Sequence, residues 1–216
     1  EDTQVRWFLS IAGLAALTMA LYLSVQGYLN TDDVLTFAAF NVVSIMTGTG
    51  YTSANFSLWG PFALGLLFFL MCVGGCAGST ACGIKIFRFQ VLAAVAHSQI
   101  MQLIYPHGVF QPRYNGRILR KGVSTSVMGF FFLFALSFTV LALILLAHGL
   151  DFLTSLSGAV SAISNVGPGL GPIIGPDGSY APLPDGTKWA LCFGMLLGRL
   201  ELFTVLVLLV PRFWRP

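Results

Sequence analysis

The chain has 216 residues, of which 56% are hydrophobic and 9% charged, with a formal net charge of +3 and a mean hydropathy of +0.83. An ordinary soluble domain carries about 25% charged residues to keep its exterior wet. This composition therefore excludes a soluble enzyme or a nucleic-acid binder and makes the chain an integral membrane protein, its medium a lipid bilayer.

The first predicted element is the apolar stretch Trp7 to Val25, long enough for one crossing at the roughly 20 residues that a spanning helix needs. Val34 to Ile84 carries no formal charge, but Thr47-Gly48-Thr49-Gly50 and Trp59-Gly60-Pro61 break it into pieces. Within its second half, Gly74 to Gly83 holds four glycines among small hydroxyl and thiol residues, which predicts an irregular loop at membrane depth rather than a helix. The stretch from Phe87 to about Leu103 then continues as a helix, and Val123 to Ala147 is the cleanest span. Phe152 to Ile163 is helical but too short to cross, and the residues after it are rich in Gly and Pro. Trp189 to Val210 is read as a last span, with Arg199 and Glu201 near its middle.

Charge orients these pieces. Arg6, Lys85, Arg88, Arg113, Arg117, Arg120, Lys121, Arg212 and Arg215 share one side if the chain crosses four times, and Asp32, Asp33, Asp151, Asp177, Asp185 and Lys188 take the other. The positive-inside rule makes the first side cytoplasmic. Both ends then lie in the cytoplasm and the outer face is acidic, which raises the local cation concentration.

The chain also aligns with itself. Val43-Ser44-Ile45-Met46-Thr47-Gly48-Thr49-Gly50 falls on Val160-Ser161-Ala162-Ile163-Ser164-Asn165-Val166-Gly167. Each segment follows a long span and an acidic turn and leads through a polar stretch towards a Trp, Trp59 or Trp189. The second copy has the longer outer loop, Gly175 to Lys188. The predicted unit is span, short re-entrant helix, glycine-containing extended segment, span. Extended backbone at membrane depth is tolerated only where protein buries it or water lines it. A half-crossing helix that stops there aims the negative end of its dipole at the path, and rings of carbonyls replace the hydration shell of a monovalent cation.

Other features point to no chemistry. Cys72, Cys76, Cys82 and Cys192 lack metal-ligand spacing and read as small packing residues. His97, His107 and His148 show no i, i+4 pairing and suit loops or interfaces. An intramembrane enzyme would need a catalytic constellation, and Ser79 has no neighbouring base. No dinucleotide-binding G-x-G-x-x-G follows a strand. The alternative to a conducting pore is a non-conducting membrane scaffold or cation sensor.

Four motifs, in order, carry a resemblance: Thr47-Gly48-Thr49-Gly50-Tyr51; Gly74-Gly75-Cys76-Ala77-Gly78-Ser79-Thr80-Ala81-Cys82-Gly83-Ile84-Lys85; Asn165-Val166-Gly167-Pro168-Gly169; and Gly198-Arg199-Leu200-Glu201. Together with Tyr105 to Arg117 they resemble the Trk/Ktr/HKT superfamily of potassium transporters, most of all its bacterial Trk membrane subunits. The resemblance implies an all-α membrane fold of span, pore helix, span repeats arranged like a potassium channel, of which this chain carries the third (1–104) and fourth (121–216), joined by a cytoplasmic linker (105–120). Four repeats complete a pore, so the chain is expected to be the C-terminal half of a longer protein, as its non-Met start also suggests.

In the family's terms the filter comprises Thr47, Gly48, Thr49, Gly50 and Tyr51 with Ser164, Asn165, Val166, Gly167 and Pro168. Potassium is the substrate, bound by the carbonyls of Thr47, Gly48, Thr49, Ser164, Asn165 and Val166. Gly74, Gly75, Cys76, Ala77, Gly78, Ser79, Thr80, Ala81, Cys82 and Gly83 form the gating loop below it. Cys82 stands where the family usually has glycine. The implied partners are the remaining N-terminal pore repeats, a second copy in a homodimer and a separate cytoplasmic NAD- or ATP-binding regulatory subunit. That subunit would dock on the basic face around Arg113 to Lys121, in the bacterial inner membrane, and no cofactor is expected in this chain.

A charge as deep as Arg199 must face water or partners, because burying it in a helix centre costs about 2.5 to 3.5 kcal/mol or more. It is expected to face the path below the filter, near the Gly74 to Gly83 loop, as a barrier to cations. The alternative role is a brace for the loop's carbonyls. On one continuous helix Glu201 would point away from Arg199 and take a separate polar partner.

Overall fold

The computed structural model describes residues 3–28 and 33–214. Asp32 and Arg215, which the charge pattern includes, lie outside the described residues. Eight α-helices, two short 3-10 helices (Phe56–Leu58 and Pro211–Trp214) and one two-stranded hairpin account for the regular structure among the described residues.

Helix α1 (Thr3–Gln26) carries no charge after Arg6 and ends at Gly27, whose φ of 67° gives the left-handed turn that commonly closes helices. Helix α2 (Val34–Thr47) stops at Gly48, φ 69°. Its 14 residues rise about 21 Å, short of the roughly 30 Å of a bilayer core. A single 3-10 turn at Phe56–Leu58 leads to α3 (Pro61–Cys72), which opens on a proline at its first position. Helix α3 ends where the glycine-rich segment begins, and α4 (Ile86–Ile104) starts directly after it. Strands β1 (Arg113–Tyr114) and β2 (Arg117–Ile118) pair antiparallel, Arg113 opposite Ile118, and turn through Asn115 and Gly116.

Helix α5 (Lys121–Ala147) is followed by α6 (Phe152–Ser164), whose first turn is capped by Asp151 accepting from the Thr154 amide at 3.0 Å. Hydrogen bonds from this turn outweigh partial desolvation of the carboxyl and hold Asp151 below its ordinary pKa. Helix α6 ends at Asn165, φ 51°, also left-handed.

The last span departs from expectation. It is not one helix: α7 (Asp185–Arg199) and α8 (Leu202–Leu209) meet at 111°. Glu201 sits at the break with φ 59°, a conformation uncommon for a residue with a side chain. The bend has a local cause. The partners of Arg199 and Glu201, which are Thr80, Lys85 and Arg88, line one cavity, whereas residues two apart on a continuous helix point to opposite sides, so the break lets both side chains face it. Among the described residues, α1 and α5 are each long and apolar enough to cross a membrane, and α7 with α8 makes a third crossing if counted as one bent span.

Helix α1 packs on α2 and α3, while α6 packs on α5, α7 and α3, so α6 is the central element. Every residue of α6 from Ser157 to Ser164 is buried. One core gathers Met19, Leu23, Val42, Phe56, Leu67 and Met71, and the second gathers Leu145, Ala159, Ile163, Ile174, Leu191 and Leu202. Val160, Val166 and Leu170 of the second half lie in the first core and lock the two halves together. Leu9, Leu14, Leu17 and Leu21 of α1 and Phe132, Leu136, Val140 and Leu143 of α5 stay exposed, as suits helices bathed in hydrocarbon.

Candidate ion path

Two extended segments leave the C-terminal ends of α2 and α6 and meet. A Cβ added to Gly48 would touch the Asn165 carbonyl oxygen at 3.5 Å, and one on Gly167 would lie 3.7 Å from the Gly50 Cα. At Gly50 it would overlap the Val166 carbonyl oxygen. Gly50 and Gly167 both take positive φ, 77° and 114°. Only glycine lets these backbones approach so closely while turning this way.

The turns are held from behind. The amides of Thr49 and Gly50 donate to the Ser44 carbonyl at 3.0 and 3.4 Å, and the Val166 amide donates to the Ser161 carbonyl at 3.0 Å. These bonds use the N–H groups. The carbonyls of Thr47, Gly48, Thr49, Ser164, Asn165 and Val166 receive no hydrogen bond from any described residue. The Gly50 carbonyl likewise receives no hydrogen bond from any described residue, and the tied carbonyls are those of Tyr51 and Gly167. Tyr51 accepts from the Ser44 hydroxyl at 2.6 Å, and Gly167 accepts from the Ser161 hydroxyl at 3.1 Å and from the Tyr180 phenol at 2.8 Å. Burial pushes the Tyr180 phenol above its ordinary pKa.

The Thr47 and Thr49 hydroxyls bond each other at 2.7 Å, and the Ser164 hydroxyl is buried without a partner among the described residues. Asn165 turns its side chain away to donate to the Met195 carbonyl at 3.0 Å. Pro168 completes the second segment beside Gly50.

On one side of these segments a cleft is lined by Thr49, Gly50, Gly167, Ile174, Pro176 and Tyr180. Beyond Ile163 lies a cavity of about 240 Å³ lined by Thr80, Cys82, Lys85, Arg88, Arg199 and Glu201. The glycine-rich segment forms one wall of that cavity. Its neck is closed by backbone bonds: Gly74 N donates to Ile84 O at 2.7 Å, Ile84 N to Cys72 O at 3.0 Å and Ile86 N to Gly75 O at 3.1 Å. Gly74 and Gly75 are buried, Cys76 half-buried, and Ala77, Gly78, Ser79 and Thr80 exposed, with Ala81, Cys82 and Gly83 returning half-buried to the neck.

Two side chains hold the tip. The Ala77 amide donates to Gln4 of α1 at 2.8 Å, and Arg199 Nη1 donates to the Thr80 carbonyl at 2.8 Å, with Cys82 Sγ at 3.6 Å. Arg199 therefore lies against the glycine-rich loop. Glu201 takes separate partners, as anticipated, but through the helix break: Lys85 Nζ at 3.2 Å and Arg88 Nη2 at 3.3 Å. The buried Arg88 guanidinium also stacks 3.6 Å from the Phe130 ring centroid.

The sequence reading names Gly198 within a motif but gives it no role, and it does not single out Tyr180 or Gln4. A Cβ on Gly198 would overlap the Ile163 carbonyl oxygen, so this glycine lets α7 dock on the end of α6. Its signal was its place in the Gly198-Arg199-Leu200-Glu201 motif, whereas Gln4 and Tyr180 carried none. No group of three or more His, Cys, Asp or Glu residues fit to hold a metal occurs among the described residues.

A model of the TrkH family, described as cation transport protein, matches residues 6–215. The Trk system potassium uptake protein TrkI of Halomonas elongata is 50% identical over 215 residues, covering 100% of this chain and 44% of that protein. The Trk system potassium uptake protein TrkH of Vibrio parahaemolyticus is 38% identical over 216 residues, again 100% of this chain and 44% of the relative. The crystal structure of the potassium transporter TrkH from Vibrio parahaemolyticus superposes with a TM-score of 0.91 over 99% of this chain and 45% of that one. The chain thus spans less than half the length of these relatives. A helical membrane fold, two apposed glycine-bearing turns and a family match over nearly every residue agree, and the chain belongs to the TrkH family of cation transport proteins.

Proposed function

We propose that this chain forms half of a potassium-uptake pore, with the segments Thr47–Tyr51 and Ser164–Pro168 as two of the four walls of its selectivity filter. The observation that carries the reading is the apposition of these segments with six carbonyls free of internal donors, at the negative ends of two half-crossing helices. Such carbonyls substitute for the water around a potassium ion. Potassium is the substrate, and the relatives named as potassium uptake proteins support that choice of ion.

In this reading Gly74–Gly83 is a gate beneath the filter, and Arg199 places a positive charge on its tip, both bracing it and opposing a cation that leaves the filter. The remaining pore repeats complete the ring, and a second copy makes a homodimer. A cytoplasmic NAD- or ATP-binding regulatory subunit engages the basic linker. The membrane is the bacterial inner membrane, with both ends cytoplasmic. Units 1–104 and 121–216 are the two pore repeats.

The test is rubidium and sodium flux into liposomes containing the complete protein, with Gly50→Ser and Gly167→Ser. Both variants are expected to lose potassium-over-sodium selectivity, because selectivity is a small difference between large hydration energies. Unchanged selectivity in both removes these segments from the filter.

A further inference from the structure

The outer loop after α6 reaches back onto the second glycine-bearing segment, and we infer that Tyr180 is a specificity-determining residue that pins the Gly167 carbonyl. The inference rests on the filter assignment above and adds a residue outside both filter segments.

The two filter segments are anchored unequally. In the first, the outermost carbonyl, Tyr51, is held by a helix hydroxyl, Ser44. The strand beyond it is then tied to α2 by Asn41, which donates to Ser53 Oγ at 2.8 Å and accepts from the Ser53 amide at 3.3 Å. In the second, the Ser161 hydroxyl spans the Gly167 turn more loosely, at 3.1 Å to the carbonyl and 3.2 Å to the amide. Gly167 is exposed and lies at φ 114°, where the backbone has no side chain to restrain it. The Tyr180 phenol supplies the missing hold at 2.8 Å.

Tyr180 is itself fixed. The loop folds back on the filter segment through Gly169 N to Ile174 O, 2.7 Å, and Ser179 N to Ile173 O, 3.0 Å. Ile174 and Leu183 are buried on either side of the tyrosine. The first half clamps the loop as well, since Asn55 donates to Asp177 and the Ser57 hydroxyl to the Gly171 carbonyl. The phenol is therefore presented by a strap anchored in both halves of the chain. A carbonyl held by this donor is not free to shift to fit a smaller ion. The long outer loop, found only in the second half, acquires a role through this contact.

The test is the reversal potential under opposed potassium and sodium gradients in the complete protein, for Tyr180→Phe, with Gly167→Ser as reference. Tyr180→Phe removes one hydroxyl and is expected to lower the potassium-to-sodium permeability ratio about 2- to 10-fold, the span of one neutral hydrogen bond, with an unchanged melting temperature. If Gly167→Ser shifts the potential and Tyr180→Phe does not, the tyrosine is overturned as a specificity residue while the filter assignment stands. If Tyr180→Phe melts earlier without moving the potential, the contact is structural and the inference fails. If neither variant moves the potential, the filter assignment fails and takes the inference with it.

Discussion

Gly198→Ala sets two effects of opposite sign against each other. In a helix interior alanine is favoured over glycine by about 1 kcal/mol, so the change would stabilise α7 taken alone. In place, the new methyl would overlap the Ile163 carbonyl oxygen and lie 2.7 Å from the carbonyl carbon and 3.0 Å from Asn165 Nδ2. The obstruction is mostly backbone, which cannot rotate away as a side-chain end would. Overpacking of this kind costs typically 1–3 kcal/mol, so the net effect is a loss of up to about 2 kcal/mol. The larger consequence is positional. To relieve the overlap, α7 and α6 must separate at their ends, which strains the Asn165-to-Met195 bond and shifts the foot of the second filter segment. The assay pairs thermal melting in detergent with rubidium-over-sodium flux in liposomes, using Gly65→Ala as control, because a methyl there meets nothing within 4 Å. Gly65→Ala is expected to melt at or above the parent temperature. Gly198→Ala is expected to melt several degrees lower and to lose selectivity. A Gly198→Ala protein that melts higher and keeps its selectivity would refute the close docking of α7 on α6.

Two further outcomes follow from the same geometry. Arg199→Gln, and separately a shortening within Cys76–Ala81, are expected to raise basal potassium flux without altering selectivity. A loss of thermal stability with no gain in flux would make the arginine a brace and the loop a structural element. Asp151→Ala removes the cap of α6 and is expected to cost about 1 kcal/mol near neutral pH. Because the folded carboxyl lies below its ordinary pKa, its contribution is present above the unfolded value and fades as pH falls through the folded one. The gap in melting temperature between parent and variant should therefore narrow in acid, and a gap independent of pH would mean that the carboxylate charge contributes nothing.

What the sequence determined by itself was the solvent, the breaks and the backbone chemistry. Charge scarcity placed the chain in a bilayer, and long uncharged apolar runs marked α1 and α5. Glycine and proline marked the ends of α2 and α3 and the irregular segment between α3 and α4, because these residues act locally, through φ and a missing donor. Gly50 and Gly167, both at positive φ, were legible for the same reason. The tertiary structure alone decided which groups meet. Arg199 and Glu201 looked like opposite faces of one helix, yet across a 111° bend both turn to one cavity, whose Thr80, Lys85 and Arg88 lie more than a hundred residues away in the chain. Gly198 reads as a poor helix residue until the Ile163 carbonyl is found where its side chain would be. Tyr180 reads as one more loop aromatic until its phenol reaches Gly167. Local signals record what a backbone can do on its own, and a hydrogen bond between distant segments leaves no period or spacing from which to foresee it.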